Sequence, residues 1–150
     1  MWNLKLDLLW GKNNERKVVC FLNRDIFIKD FLKLYEDEKK QVDMRNLEIV
    51  GEVKSRNNKH DKYRETFFGY NKILYLKSQK DKRIWKFYFL FTDGLYVWTY
   101  NEAQYEVRDF EHHERGWISQ VYVDIKYLEK LSSTVTSCSH LPEDYKEYVN

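Results

Sequence analysis

Residue types suited to phosphoryl chemistry stand close together in the first half of this chain: Asp43, then Glu52 and Lys54 in the phrase Gly51-Glu52-Val53-Lys54-Ser55-Arg56. Side chains at i and i+2 of a strand share a face, so a strand here sets Glu52 beside Lys54 and turns Gly51 and Val53 the other way. An aspartate on a preceding antiparallel strand can meet Glu52 across the ladder. Two converging carboxylates suit a hard divalent cation such as Mg2+, which takes oxygen ligands and keeps several of its waters. The lysine puts positive charge where a phosphoryl oxygen or an activated water would sit. Glu-x-Lys is a common string in a chain of 33% charged residues, most often on the solvated face of an amphipathic strand, so the surrounding elements decide its meaning.

Those elements follow from pattern. A helix is predicted from Asn13 or Asn14, either of which can cap its free backbone donors, to Leu22 or Asn23. Val18, Val19 and Leu22 recur at helical spacing, and Glu15 stands three and four residues before the valines, so a carboxylate shares the inward face. Its bland alternative is a first-turn acid that complements the helix dipole. A strand over 31–35, a charged turn at Glu36-Asp37-Glu38-Lys39, a return over 41–45 and a third strand over 47–55 make an antiparallel meander. Residues 66–79 read as a helix carrying Phe67, Tyr70 and Leu74 on one stripe, with Gly69 costing about 1 kcal/mol relative to alanine. Trp85 to Phe91 is apolar on both faces and therefore central, and Asp93-Gly94 signals a hairpin into 95–100. Residues 101–117 read as a polar loop; His112-His113-Glu114 within it lacks a third ligand at helical or hairpin spacing. A strand over 120–125, a short helix over 126–131 and a peripheral tail broken at Pro142 complete the chain.

Length and composition bound the rest. A chain of 150 residues, 43% hydrophobic and 17% aromatic with a single proline, is expected to form one domain around one core. No apolar run approaches the roughly eighteen residues of a membrane helix, and the first residues lack the layout of a signal peptide, so a soluble intracellular protein is expected, with cytoplasm and nucleus both open. Cys20 and Cys138 lack the paired spacing of a zinc or redox motif and are expected as reduced thiols. A net charge of +2 argues against nonspecific coating of nucleic acid but leaves room for a local basic surface. Arg56, Lys59, Lys62 and Arg64, directly after the candidate site, are the expected phosphate contacts, against the alternative of a solvated loop.

The order helix, three-strand meander, helix, strand resembles the αβββαβ core of the restriction-endonuclease-like PD-(D/E)xK phosphodiesterases. Asp43 resembles that family's strand-two aspartate, Glu52-Val53-Lys54 its (D/E)xK, and Glu15 the first-helix glutamate of members such as the Holliday-junction resolvases. Val42 stands where a proline often precedes the aspartate. No Gln-x-x-x-Tyr follows on the next helix, as in the RecB-type branch, and no histidine precedes Asp43, as in the cap-snatching viral endonucleases. The resemblance covers about residues 12–100, with 101–150 an extension of the same single domain, and Phe68 to Tyr75 is similar to compact nucleases of viruses and mobile elements. It implies an α/β fold, a mixed sheet flanked by helices with extra C-terminal strands, and Mg2+- or Mn2+-dependent hydrolysis of DNA phosphodiesters. Asp43, Glu52 and the Val53 backbone carbonyl would hold the ion, Glu15 would act through water or at a second ion, and Lys54 would steer the attacking water. An inactive nucleic-acid-binding module of the same fold and an RNA endonuclease are the alternatives. Substrate form, sequence specificity and endo or exo mode stay open; two-strand cutting commonly needs two sites, which is compatible with a homodimer.

Overall fold

The computed structural model describes residues 4–35, 42–80, 82–138 and 140–147, apart from the side chains of residues 4, 5 and 7. Among the described residues the chain is α/β, with two α-helices and two sheets. Helix α1 spans Leu4–Asp25, nine residues longer at its start than the sequence suggests. Leucine-rich residues before Asn13 have good helix propensity and carry the helix through the expected cap. Asn14 lies inside the helix, and its buried side chain donates to Ser55 Oγ at 3.0 Å. At the other end Asn23 exchanges two hydrogen bonds with the Leu32 backbone, at 2.9 and 2.7 Å, and so fixes how the chain enters the sheet.

The meander is present: β1 (Lys33–Tyr35), β2 (Met44–Arg45) and β3 (Ile49–Ser55) pair antiparallel in turn. The whole of the expected charged turn, Glu36-Asp37-Glu38-Lys39, and Gln41 of the expected return strand lie outside the described residues. Next along the chain come β4 (Glu65–Gly69), α2 (Asn71–Ser78) and β5 (Ile84–Phe91), which lies parallel to β3. The expected helix over 66–79 is therefore a strand followed by a two-turn helix. Thr66-Phe67-Phe68 is β-branched and aromatic, and its burial alternates, with Thr66 and Phe68 inside and Phe67 exposed, which is a period of two. The turn at Asp93-Gly94 leads to β6 (Gly94–Thr99). Gly94 has φ +154°, and a Cβ there would lie 2.6 Å from the Ser132 carbonyl oxygen, so only glycine fits.

The second half of the chain departs most from expectation. Residues 101–117 are largely a ribbon: β7 (Tyr105–His112) turns at residues 113–115 into β8 (Gly116–Asp124). Strands β4, β8 and β7 form a separate antiparallel sheet. The ribbon is stabilised by cross-strand polar pairs, such as Asp109 with Ser119, and Arg108 joins Glu65 of β4, so it lacks the apolar alternation that marks a half-buried strand. The expected helix over 126–131 is a single 3-10 turn, Ile125–Tyr127, followed by β9 (Glu129–Ser132) on the edge of the main sheet. The tail is not peripheral. Leu141 is buried, β10 (Lys146–Glu147) pairs parallel with β1, and Cys138 is joined to Cys20 of α1 in a disulfide spanning 118 residues, in place of the expected free thiols. The main sheet runs β10-β1-β2-β3-β5-β6-β9. Among the described residues no helix is long and apolar enough to cross a membrane.

Each face of that sheet has its own core. On one, Val18, Val19 and Leu22 of α1 pack on Leu34, Met44, Ile49, Val53 and Tyr88. On the other, Phe68 and Ile73 with Val121 and Val123 cover Val50, Phe87, Phe89 and Trp98. Central β5 supplies both cores, as its two-sided apolar pattern requires.

Candidate active site

Alternation along β3 sends Ile49, Gly51 and Val53 towards α1 and leaves Val50, Glu52 and Lys54 on the side of α2. Gly51 matters for the first set. A Cβ there would sit 2.8 Å from the Met44 methyl carbon, so the absence of a side chain lets β2 close on β3 beside Glu52. Asp43 immediately precedes β2 and remains in its ladder, donating its N–H to Gly51 O (3.1 Å) and accepting from Tyr35 N–H at its own carbonyl (2.8 Å). Its Oδ2 accepts the Val53 N–H at 2.7 Å. The N–H and C=O of one strand residue leave the same edge, so the Val53 carbonyl also opens towards Asp43.

Glu52 is 2% exposed, an unusual place for a carboxylate. Two lysines approach it: Lys72 Nζ lies 2.9 Å from Oε1 and Lys54 Nζ 3.9 Å from Oε2. The Lys72 contact is an ion pair without a well-aligned hydrogen bond at Oε1. Burial, and then the negative charge of Asp43, push the Glu52 carboxyl up to about 8, against the opposing pull of Lys54 and Lys72. Glu15, on the inward face of α1, has the same problem. Burial and the Asp43 charge raise it to about 7, partly offset by Lys12, whose Nζ lies 3.3 Å from Oε2. The Asp43 charge acts on both acids, on Glu15 from the α1 side of the sheet and on Glu52 from the α2 side, with Lys54 beside Glu52.

Lys72 is the residue that sequence reasoning missed. It lies in the first turn of α2, and only the packing of that turn against the α2-facing side of β3 brings its ammonium to Glu52. Carboxylate and carbonyl oxygens are the hard donors that Mg2+ or Mn2+ takes, so the donor types fit such an ion, with Lys12, Lys54 and Lys72 balancing the carboxylates in its absence. Glu15, Asp43 and Glu52 do not all come within 4.8 Å of one another, however. Among the described residues, three candidate ligand atoms lie that close at His60, Asp61 and Asp93 instead. There His60 Nδ1 and Asp93 Oδ2 are already hydrogen-bonded at 2.6 Å, and the His60 ring stacks on Tyr96. His112 and His113 stack on each other at the ribbon turn, and His113 faces Glu114 at 3.5 Å in solvent.

The basic segment divides. Lys59 and Lys62 are exposed, and Arg64 is exposed but paired with Asp124 at 3.2 Å. Arg56 turns inward: its guanidinium donates to the carbonyls of Ser55 and Phe67 and lies against the rings of Phe67 and Phe89. Burial lowers its pKa, and its Nε has no hydrogen-bond partner. Comparison of the chain with protein-family models, curated proteins and solved structures finds no match.

Proposed function

We propose that this chain is a Mg2+- or Mn2+-dependent endonuclease that hydrolyses DNA phosphodiester bonds. The observation that carries this reading is that Asp43, opposite the buried, lysine-paired Glu52 on the ladder, accepts the Val53 N–H and acts by its charge on Glu52 and on Glu15 of α1 alike. The order of a helix, an antiparallel meander, a helix and a strand parallel to the third supports a restriction-endonuclease-like core, with β4 and the second sheet as additions to it. Asp43, Glu52 and the Val53 carbonyl would hold the ion, and Glu15 would reach it through water. A bound divalent ion would supply an acidified water and neutralise charge on the phosphoryl group. Lys54 orients the attacking water and contacts the phosphate, while Lys59 and Lys62 hold the backbone of the DNA. Without a cation, Lys72 offsets the Glu52 charge, so loading the site requires its ammonium to move.

Lys72 also favours a second reading. A lysine already seated on Glu52 is what a DNA-binding module that had given up catalysis would retain. Incubation with plasmid, single-stranded, flapped and branched DNA, and with RNA, separates the two. The nuclease cuts DNA only with Mg2+ or Mn2+. Asp43→Asn, Glu52→Gln and Lys54→Ala each lower the rate by orders of magnitude, and Glu15→Gln lowers it less. Binding without cleavage by folded protein moves the assignment to the module, and cleavage confined to RNA moves it to a ribonuclease.

A further inference from the structure

Arg56 extends the Glu52–Lys54 face of β3 by one more step. Its N–H still joins the ladder, donating to Leu90 O at 2.9 Å, and two strand residues place it roughly 7 Å beyond Lys54. Here the surface opens into a cleft of about 450 Å3 whose lining includes Arg56, Tyr63, Arg64, Phe67, Phe91 and Tyr122. Tyr63 is 58% and Phe67 43% exposed, whereas Phe68, Phe89 and Phe91 nearby are buried. The acids at the cleft are already neutralised: Glu65 takes a two-pronged contact from Arg108 at 2.9 Å, and Asp124 pairs with Arg64. Arg56 has no carboxylate partner among the described residues. The cleft therefore offers the exposed sides of Tyr63 and Phe67 beside a guanidinium that packs against Phe67 and donates to two backbone carbonyls but meets no carboxylate, next to the candidate catalytic lysine.

We propose that this cleft binds an unpaired DNA base, stacked on Phe67 and Tyr63, with its phosphate drawn towards Arg56. The inference rests on the nuclease reading and deepens it: the substrate carries unpaired nucleotides beside the cut, as in a single strand, a flap or a junction. A base in a duplex keeps both faces stacked and its edge paired, so it cannot enter a recess between a strand and a loop. Stacking on aromatic rings is tolerant of sequence because every base presents a π-face, and an arginine adds cation–π and phosphate attraction. The position of the cleft along β3 puts the bound nucleotide next to the one being cut.

The test measures anisotropy of labelled oligonucleotides in Ca2+: a single strand, the same strand with abasic sites, and a blunt duplex of equal length. Wild type is expected to favour the single strand over the duplex by about tenfold or more. Abasic sites should lower single-strand affinity to a similar degree. Phe67→Ala should bring the ratio of single-strand to duplex affinity towards one, and Phe67→Trp should keep it. Tyr63→Ala lies in a turn outside both sheets, cannot unfold the core, and should lower the ratio as well. A ratio near one in wild type, or a ratio unmoved by both alanine variants, overturns the inference. Cleavage in Mg2+ is scored separately. Cutting without a single-strand preference retires the cleft and leaves the nuclease, whereas a Phe67-dependent preference without cutting keeps the cleft and retires the nuclease.

Discussion

Replacing Glu52 by glutamine should change how stability depends on pH. The Glu52 carboxyl ordinarily titrates near 4.5 and here is pushed up to about 8, because burial and Asp43 outweigh Lys54 and Lys72. A group that holds its proton more tightly in the folded chain contributes stability that is fully present below its unfolded pKa. That contribution falls as the pH rises and is gone above the folded pKa. For Glu52 the window runs from about pH 4.5 to about pH 8. At about 1.4 kcal/mol per pH unit, the loss across it is at most on the order of 5 kcal/mol, a ceiling because the lysines can follow the carboxylate as it ionises. Glu15, raised to about 7, adds to the same slope in the wild type. Glutamine has nearly the same shape and never ionises, so Glu52→Gln should lose several kcal/mol less than wild type between pH 5.5 and 8.5. Urea denaturation at both pH values, followed by tryptophan fluorescence, reads this directly, because Trp85 and Trp98 are buried in the second core. Parallel pH dependence in the two proteins would refute the claim that Glu52 is a strained, protonatable acid. Millimolar Mg2+ should restore part of the wild-type loss at pH 8.5, since an ion that binds only the folded, ionised site adds its binding energy to stability.

Removing Lys72 with Lys72→Met takes away a cation that lowers the Glu52 pKa, so the acidic limb of the pH–rate profile for DNA cleavage should move to higher pH; an unmoved limb would mean that Lys72 does not govern Glu52 in the working enzyme. Gly51→Ala pushes a methyl group against Met44 and should cost about 1–3 kcal/mol in urea melts, with Met44→Leu in the same chain changing that cost because the two sites share one space. Reducing the Cys20–Cys138 bond should lower stability by about 2–4 kcal/mol, since it closes a loop of 118 residues, and Cys138→Ser should lose its sensitivity to reductant.

The placing of Glu52 beside Lys54 was legible because strand alternation is a strict rule, and that of Asp43 because the ladder of β2 and β3 runs one residue past the start of β2. Glu15 was legible for a similar reason, as a charge on the apolar stripe of α1. Lys72 was not, because nothing in Asn71-Lys72-Ile73 shows which surface the first turn of α2 will meet. The overlap of two periods hid β4: Phe67, Tyr70 and Leu74 mimic a helical stripe, while Thr66 and Phe68 are the pair that is buried. The β7–β8 ribbon was hidden by its polarity, its pairing resting on backbone bonds and on contacts such as Arg108 with Glu65 that leave no apolar signature. The disulfide joins residues too far apart in sequence for spacing to reveal them.

Paramagnetic resonance of Mn2+ counts a bound ion without requiring turnover, and so tests directly the proposal that Asp43 and Glu52 hold a divalent cation. At pH 8 wild type should bind Mn2+ and Asp43→Asn and Glu52→Gln should not. By pH 6 wild-type affinity should fall steeply, because Glu52, raised to about 8, must give up its proton to ligate, and Glu15, raised to about 7, must give up its own to hold an ion-bound water. Equal binding by wild type and both variants, with loss only in His60→Ala or Asp93→Ala, would place the ion at the His60, Asp61 and Asp93 cluster and contradict the account.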